Sequence, residues 1–272
     1  MNEAQKNRIL LVGCGKMGSS LLQIWIKKNL IEQAFILDPN GLPPDFKGET
    51  SVSWHKSAKD INWPTLDLCI LAVKPQIMGD VCRGLSQFIP PDTPLLSIAA
   101  GQTLERLQSY FNHENQPLIR SMPNTPASIG KGMSAAIASH SVSRETIHKV
   151  ETLLEAAGRL IWLKDESQMD GVTAVSGSGP AYVFHLIEVL SHSAEKLGFS
   201  KEDAILLARE TVIGAAALIK SGQGIEASTL RKNVTSPGGT TEAALSILMD
   251  GRLQELFDEA LLAAQRRGQE LS

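Results

Sequence analysis

The chain has 272 residues, of which 43% are hydrophobic and 20% are charged, a composition typical of a folded globular protein with one large domain or two ordinary ones. The formal net charge of −3 and the lack of a clustered Lys/Arg stripe argue against a nucleic-acid partner, which usually requires a basic surface. Cys14, Cys69 and Cys82 have no metal-ligand spacing, so we predict no metal site and expect small buried thiols in a reducing compartment.

Targeting and membrane signals are not found in the sequence. Residues 1–7 lack the apolar core of a signal peptide. The apolar runs further along the chain are far shorter than the ~20 residues that a membrane-spanning helix needs. We therefore expect a cytoplasmic protein with no membrane partner.

The first part of the chain alternates strand and helix patterns, which is typical of a mostly parallel α/β sheet. The predicted strands cover residues 8–12, 34–37, 66–73, 95–99, 117–121, 133–138 and 159–163. Helical spacing is found at residues 16–29, through Val81 and Leu85, and at about 143–157. A Rossmann-like sheet domain is therefore predicted over residues 1–165.

The second part of the chain has helical spacing only. The predicted helices cover residues 181–197, 201–220, 242–249 and 253–267. Gly198 is expected to stop one helix and Ser200 to cap the next. Residues 204–219 are rich in Ala, Leu and Ile, which indicates either internal packing or a dimer interface. We predict an all-helical domain over residues 166–272.

A glycine-rich loop follows the first strand and opens the first helix. It has the dinucleotide-binding spacing, with one glycine for the turn, one for approach of the pyrophosphate and one for packing of helix on strand. An acid, Asp38, lies twenty residues beyond the last of these glycines, at the end of the second strand. The residues predicted to bind the cofactor here are Val12, Gly13, Gly15, Lys16, Met17, Gly18 and Asp38.

The charge of Asp38 bears on which nicotinamide cofactor is used. A carboxylate there accepts hydrogen bonds from the adenosine ribose and repels a 2′-phosphate, which favours NADH over NADPH. His55 and Lys56 follow a third short strand and are candidates to bind a phosphate, so both cofactors stay open. The loops that follow two further predicted strands, 66–73 and 95–99, are expected to lie under the ribose and nicotinamide. The alternative is that they are ordinary strand-to-helix turns. Their predicted cofactor-binding residues are Ala72, Val73, Lys74 and Pro75, and Ala99, Ala100 and Gly101.

A second loop carries hydroxyls and two adjacent glycines at the start of a predicted helix. It contains Ser236, Pro237, Gly238, Gly239, Thr240 and Thr241. Free N–H groups at a helix start bind a small carboxylate or phosphate. An elaborate helix cap is the alternative interpretation.

These motifs together resemble those of the pyrroline-5-carboxylate reductase family over essentially the whole chain. The resembling segments are residues 13–18, 72–76, 120–126, 174–182 and 234–241, of which the last two are the most specific. The resemblance implies reduction of 1-pyrroline-5-carboxylate to L-proline by a nicotinamide cofactor, as the final step of proline biosynthesis. It also implies a helical domain interleaved with that of a partner chain, sometimes in rings of dimers. Members of the family often use NADPH, whereas Asp38 favours NADH. We therefore expect the chain to use NAD(P)H with a preference for NADH.

The same comparison suggests roles in the substrate site. The threonine that the family places at the ring nitrogen corresponds to Thr241, which is the predicted catalytic residue. The substrate carboxylate is expected on the N–H groups of residues 238–241. Position in the chain adds two residues: Asn124, after a predicted strand, is expected to contact nicotinamide or substrate, and Glu166, the acid nearest the domain junction, is a candidate for the ring nitrogen with surface placement as the alternative. The complete predicted substrate set is Ser236, Gly238, Gly239, Thr240, Thr241, Asn124 and Glu166.

Two other functions are compatible with the outline. A β-hydroxyacid dehydrogenase requires a catalytic Lys and an Asn at fixed distances after the glycines, but Val183 and Leu186 occupy those positions, counted from Gly179. A nucleotide-sensing protein without catalysis would be expected to have lost the loop at 234–241, which is intact.

Overall fold

One eight-stranded sheet forms the centre of the first part of the chain, within the residues that this computed structural model describes, 6–222 and 224–271. Its strands are β1 (Asn7–Val12), β2 (Ile31–Leu37), β3 (Val52–His55), β4 (Leu68–Leu71), β5 (Leu95–Ser97), β6 (Leu118–Met122), β7 (Gly132–Ala138) and β8 (Gly158–Trp162). They lie in the order β3-β2-β1-β4-β5-β6-β7-β8. The predicted Rossmann-like sheet is confirmed.

The direction of the strands places the functional edge. The sheet is parallel except between β6 and β7, where Ile119 lies opposite Ala138 and Met122 opposite Ala135. Strand order reverses between β1 and β4, which creates the topological switch point where open α/β sheets bind ligands. The carboxyl ends of β1 to β5 meet at one edge, called the carboxyl edge below.

Helices cover both faces of the sheet, which explains why the central strands are continuous apolar runs. The helices of this part are α1 (Lys16–Lys27), α2 (Pro75–Leu85), α3 (Leu104–Gln108) and α4 (Arg144–Ala156). Ile9 and Leu11 belong to the apolar cluster beneath α1 and α4. Leu10 and Val12 point to the opposite face and join the cluster beneath α2. Alternate residues of β1 therefore anchor opposite layers of the fold.

The three thiols are buried, as predicted. Burial, with the nearby charge of Asp38, raises the pKa of the Cys14 thiol to about 12. Burial also raises the pKa of Cys82 to about 12 and raises the pKa of Cys69. Because the thiolate is the reactive form, these cysteines act as apolar core residues at neutral pH.

The chain divides by its contacts into two compact units. The first unit contains residues up to Ser178 and the C-terminal residues from Ala264, and the second covers Gly179–Ala263. This division lies later than the boundary predicted at residue 165. The reason is that α5 (Met169–Val172) and a π-helical turn (Thr173–Gly177) pack with the sheet, where a β-carbon at Gly177 would lie 2.6 Å from Met122 Cε.

The second unit is helical, as predicted. The remaining helices are α6 (Gly179–Lys196), α7 (Lys201–Ser221), α8 (Ala227–Asn233), α9 (Thr240–Leu248) and α10 (Arg252–Leu271), which ends in the first unit. Gly198 adopts a positive φ of 98° after α6, and the Ser200 hydroxyl accepts a hydrogen bond from the Asp203 N–H at the start of α7. Both predicted helix signals are therefore confirmed.

The sequence pattern missed the short elements. α3 and α8 are only 5 and 7 residues long, too short for a clear helical period. Strands β4 and β5 end two residues earlier than predicted because residues 72–73 and 98–99 already belong to loops. None of the helices in the described residues combines the length and apolar character of a membrane-spanning segment.

Candidate active site

A cavity of about 800 Å³ lies in the first unit at the carboxyl edge. Seven of the residues predicted to bind the cofactor line it: Val12, Gly13, Gly15, Asp38, Ala72, Val73 and Lys74. They come from the ends of β1, β2 and β4, on the two sides of the switch point. The arrangement matches the place where an open α/β sheet binds a dinucleotide.

The three glycines of the first loop have three different surroundings. Gly13 has a φ of +86°, and a β-carbon there would lie 2.8 Å from Val73 Cγ1. A β-carbon at Gly18 would lie 2.8 Å from the Gly13 carbonyl oxygen and 3.2 Å from Ala72 Cβ. A β-carbon at Gly15 would meet nothing within 4 Å. Gly13 therefore makes the turn, Gly18 lets helix approach strand, and the space beside Gly15 is left for a ligand.

The start of α1 supplies the anion-binding groups of this loop. Gly15 is the N-cap residue and provides no side chain to the N–H groups of the first turn, which also lacks an acidic residue. Those N–H groups and the positive end of the helix dipole suit a pyrophosphate. The Lys16 side chain is exposed, whereas Met17 packs against the apolar core, so Met17 would contact a cofactor through its backbone.

Asp38 is largely committed to the protein itself. One carboxylate oxygen accepts the Cys14 N–H at 2.7 Å, which ties the glycine loop to the end of β2. The other oxygen accepts the backbone N–H of Asn40 at 2.8 Å and its side-chain amide at 3.0 Å. The side chain is 8% exposed. Asp38 thus shapes the cavity and brings a negative charge to it, in addition to its predicted contact with a ribose.

Besides Lys74, two further cations line the same cavity. Lys56 and Lys59 line it beside Ser57, and neither forms an ion pair with a carboxylate among the described residues. His55 does not line the cavity, since it is the last residue of β3 and stacks on Phe35 with ring centroids 6.1 Å apart. Lys56 was named from the sequence, whereas Lys59 was missed because it lies in a 3-10 helix that has no periodic signal.

The other predicted cofactor residues lie further along the edge. Pro75 and Ala100 line a second cavity, of about 540 Å³, between α2 and α3. Ala99 and Gly101 are buried in the loop that leads from β5 to α3. A cofactor role for this loop stays a prediction.

Asn124 was predicted to contact nicotinamide or substrate, and the structure gives its amide protein partners. Its Nδ2 donates to the Ser176 carbonyl at 3.1 Å and lies 3.3 Å from the Ser176 hydroxyl. Its Oδ1 accepts the Met133 N–H at 2.9 Å. Asn124 is 9% exposed and joins the end of β6 to β7 and to the π-helical turn. Its first role is therefore to hold the backbone.

Glu166 likewise has a partner inside the first unit, rather than the plain surface position weighed from the sequence. Its carboxylate pairs with the buried guanidinium of Arg120, Nη1 to Oε1, at 2.9 Å. Sequence reasoning missed Arg120 as a functional candidate because no motif role is attached to it. A substrate contact of Glu166 stays a prediction.

The predicted substrate loop lies in the second unit. Gly238 has a φ of +68°, and Gly239 is the N-cap of α9 without a side-chain cap. The Gly239 N–H donates to the Ser236 carbonyl at 3.0 Å, and the Gly238 N–H donates to the Glu242 carboxylate at 2.7 Å. The N–H groups of Thr240 and Thr241 therefore remain as the first-turn donors for an anion.

The glutamate contact is informative about the chemistry of this loop. Glu242 places a carboxylate on an N–H group that the sequence assigns to the substrate carboxylate. This contact is a local cap of α9, as the helix-cap alternative predicts, and it occupies the Gly238 N–H. Ser236, Thr240 and Thr241 add hydroxyls, of which Thr241 is half-buried and the other two exposed.

Known proteins resemble the chain in sequence and in structure. The sequence model of one family, described as pyrroline-5-carboxylate reductase dimerisation, matches residues 166–271 and supports self-association. The pyrroline-5-carboxylate reductase of Pseudomonas aeruginosa is 42% identical over 206 residues, which cover 76% of this chain and 75% of that protein.

Solved structures agree with these relatives. The pyrroline-5-carboxylate reductase from Coxiella burnetii superposes with a TM-score of 0.89 at 34% identity, over 98% of this chain and 99% of the other. The Plasmodium falciparum pyrroline carboxylate reductase with NADP bound has a TM-score of 0.84 at 26% identity, over 99% of both chains. With relatives of this identity over most of its length and a fold to match, the chain belongs to the pyrroline-5-carboxylate reductase family.

Proposed function

We propose that this protein reduces 1-pyrroline-5-carboxylate to L-proline with NAD(P)H, the final step of proline biosynthesis. The observation that carries the proposal is the helix start at Thr240, whose first-turn N–H groups suit a carboxylate, in a chain whose first unit has a dinucleotide cavity. When bound, the nicotinamide supplies a hydride to the imine carbon.

The chain's own residues supply position and a proton path. The N–H groups of Thr240 and Thr241 hold the substrate carboxylate, which fixes the ring by its one charged group. The Thr241 hydroxyl hydrogen-bonds the ring nitrogen, where the proton of the reduced imine resides. A threonine hydroxyl is a poor acid, so it either orients the N–H of a substrate that arrives as iminium or relays a solvent proton to a neutral imine. Positioning of this kind supplies much of the rate enhancement.

The cofactor is proposed to be NADH in preference to NADPH. Asp38 brings a negative charge to the end of β2, where a 2′-phosphate would lie. Its bonds to Cys14 and Asn40 hold it there. Lys56 and Lys59 oppose this effect, but both are exposed, so solvent screens their attraction for a phosphate.

Self-association is proposed to occur through the helical unit. Among the described residues of 179–263, only Ser191, Ala204 and Ala208 are buried. Large apolar side chains are exposed along the same helices, including Phe184 at 61% and Leu206 at 55%. A unit that buries so little apolar surface by itself gains its core from a second copy. The family name, which specifies dimerisation, supports this.

The activity is checked directly by assaying the purified protein with 1-pyrroline-5-carboxylate and either cofactor. We expect oxidation of NADH and NADPH that depends on the imine, with no turnover of a β-hydroxyacid, because no lysine stands at Val183. The conversion is followed at 340 nm and proline is identified as the product. Turnover of the hydroxyacid alone would contradict the proposed reaction.

Replacing Lys56 by Ala tests the charges that select the cofactor. We expect kcat/KM for NADPH to fall about three- to tenfold while kcat/KM for NADH changes less than about twofold, since only NADPH brings a 2′-phosphate. Lys28→Ala, at the far end of α1, is the matched control and should change neither value. A wild-type enzyme that uses NADPH more efficiently than NADH would refute the proposed preference.

The role of Thr241 is tested by shortening its side chain. Thr241→Ala is expected to lower kcat/KM for the imine by about 10²-fold or more across the pH range, because the hydroxyl at the ring nitrogen is lost. Thr241→Ser should recover most of the activity. Thr229→Ala, an exposed threonine of α8, is the control. Full activity of Thr241→Ala at every pH would exclude this role.

Sedimentation velocity at micromolar concentration tests the association surface. We expect a dimer or a larger assembly, and we expect Leu206→Glu to shift it toward the monomer by placing a charge on the apolar face. Ile129→Glu changes an equally apolar residue of the sheet unit, 69% exposed, and should leave the assembly intact. A monomeric wild-type protein would disprove the proposal.

A further inference from the structure

A guanidinium is buried beside the carboxyl edge without a complete set of partners. Arg120 lies on β6, and its side chain is 3% exposed. Nη1 donates to Glu166 at 2.9 Å, whereas Nη2 lies 3.9 Å from Asp170 Oδ1 and has no hydrogen-bond partner. Burial of a charged group costs free energy that an ion pair of this kind repays only in part, so stability alone is a weak reason for Arg120.

The Glu166 oxygen that accepts a hydrogen bond from Arg120 also bonds the start of α3. Glu166 Oε1 accepts the backbone N–H of Leu104 at 2.8 Å. Leu104 is the first residue of α3, which the loop containing Ala99, Ala100 and Gly101 leads into. A single carboxylate oxygen therefore connects β6 to the start of α3, and it satisfies an N–H group that the helix cannot bond internally. The bridge Arg120–Glu166–Leu104 fixes where that loop ends.

The topology indicates which part of a cofactor this loop serves. The pyrophosphate site is the start of α1 after β1, and Asp38 and Lys56 mark the adenosine side, toward β2 and β3. The other half of a dinucleotide then extends in the opposite direction, over the ends of β4 and β5. The loop after β5 is therefore at the nicotinamide end.

From these contacts we infer that Arg120 is a positioning residue for the nicotinamide half of the cofactor, an inference that rests on the proposed function. It acts through Glu166 on the backbone of the loop between β5 and α3, and it touches neither substrate nor cofactor. Loss of the bridge displaces the nicotinamide ring relative to the substrate while leaving the adenosine side of the cavity unchanged.

Comparing the binding of NADH and ADP-ribose distinguishes effects on the nicotinamide side of the site from effects on the adenosine side. NADH carries the nicotinamide, whereas ADP-ribose lacks it. For Arg120→Lys, which keeps the charge but cannot reproduce the guanidinium geometry, we expect NADH affinity to fall about five- to tenfold and kcat at least as much. ADP-ribose affinity should stay within about twofold. Affinities are measured by fluorescence and calorimetric titration without the imine, alongside thermal unfolding.

Glu166→Ala tests the same bridge from its partly exposed end, 26% accessible, and covers the case in which an Arg120 variant does not fold. It should reproduce the selective loss of NADH affinity. Because the titrations contain no imine, a direct contact of Glu166 with the substrate would change KM for the imine and leave these affinities alone.

Two control variants show how the NADH and ADP-ribose affinities respond to changes elsewhere in the unit. Lys149→Met breaks another ion pair of the same unit, which Lys149 forms with Asp67 at 2.7 Å at the opposite edge of the sheet. This variant should have a lower unfolding temperature, but the ratio of NADH affinity to ADP-ribose affinity should not change. Gly15→Ala places a methyl group beside the pyrophosphate site and should weaken both ligands.

The outcomes are distinct. An unchanged affinity ratio in both Arg120→Lys and Glu166→Ala, whatever their unfolding temperatures, would overturn the inference and leave the bridge a stability element. A wild-type protein that binds NADH but does not reduce the imine would instead disprove the proposed function, and the affinity ratio would still report on the bridge.

Discussion

The close approach of the first helix to the sheet is the constraint on which the cofactor cavity depends. Gly18 lies so near the Gly13 carbonyl and Ala72 that no larger residue fits without movement. This contact sets the start of α1 directly above the switch point. Asp38 then secures the loop from the other side through the Cys14 N–H. The N–H groups that face a pyrophosphate are held by packing and by one buried carboxylate, so little reorganisation is needed when a dinucleotide binds.

The two units satisfy their polar and apolar groups in different ways. The sheet unit buries its apolar strands between helices and encloses Arg120, Asn124 and Asp38 with hydrogen-bonding partners from its own chain. The helical unit leaves most of its large apolar side chains exposed and buries three small residues. A unit that buries so few side chains gains little hydrophobic stabilisation from its own chain.

Sequence patterns predicted the sheet, the long helices and the two loops because each rests on local information. Apolar runs, helical spacing and glycine positions are all read within a few residues of one another. The role of Asn124 was not readable in this way, since its partner Ser176 lies 52 positions away. The same holds for Arg120 and Glu166, separated by 46 positions. The sequence pattern led us to expect such side chains to face a ligand. In the structure, Asn124 and Glu166 instead form hydrogen bonds within the protein.

This use of polar side chains agrees with the demands of the reaction. Reduction of an imine needs a hydride, a proton and two rings held in one geometry, so it asks for few reactive side chains and for much positioning. Among the groups that the described residues offer to ligands are the backbone N–H groups at the starts of α1 and α9. Asp38 holds the loop before α1, Asn124 joins the end of β6 to the π-helical turn, and Glu166 holds the start of α3. Catalytic power in such a site resides in the rigidity of its backbone, which makes a buried bridge such as Arg120–Glu166 as relevant to turnover as a residue that touches the substrate.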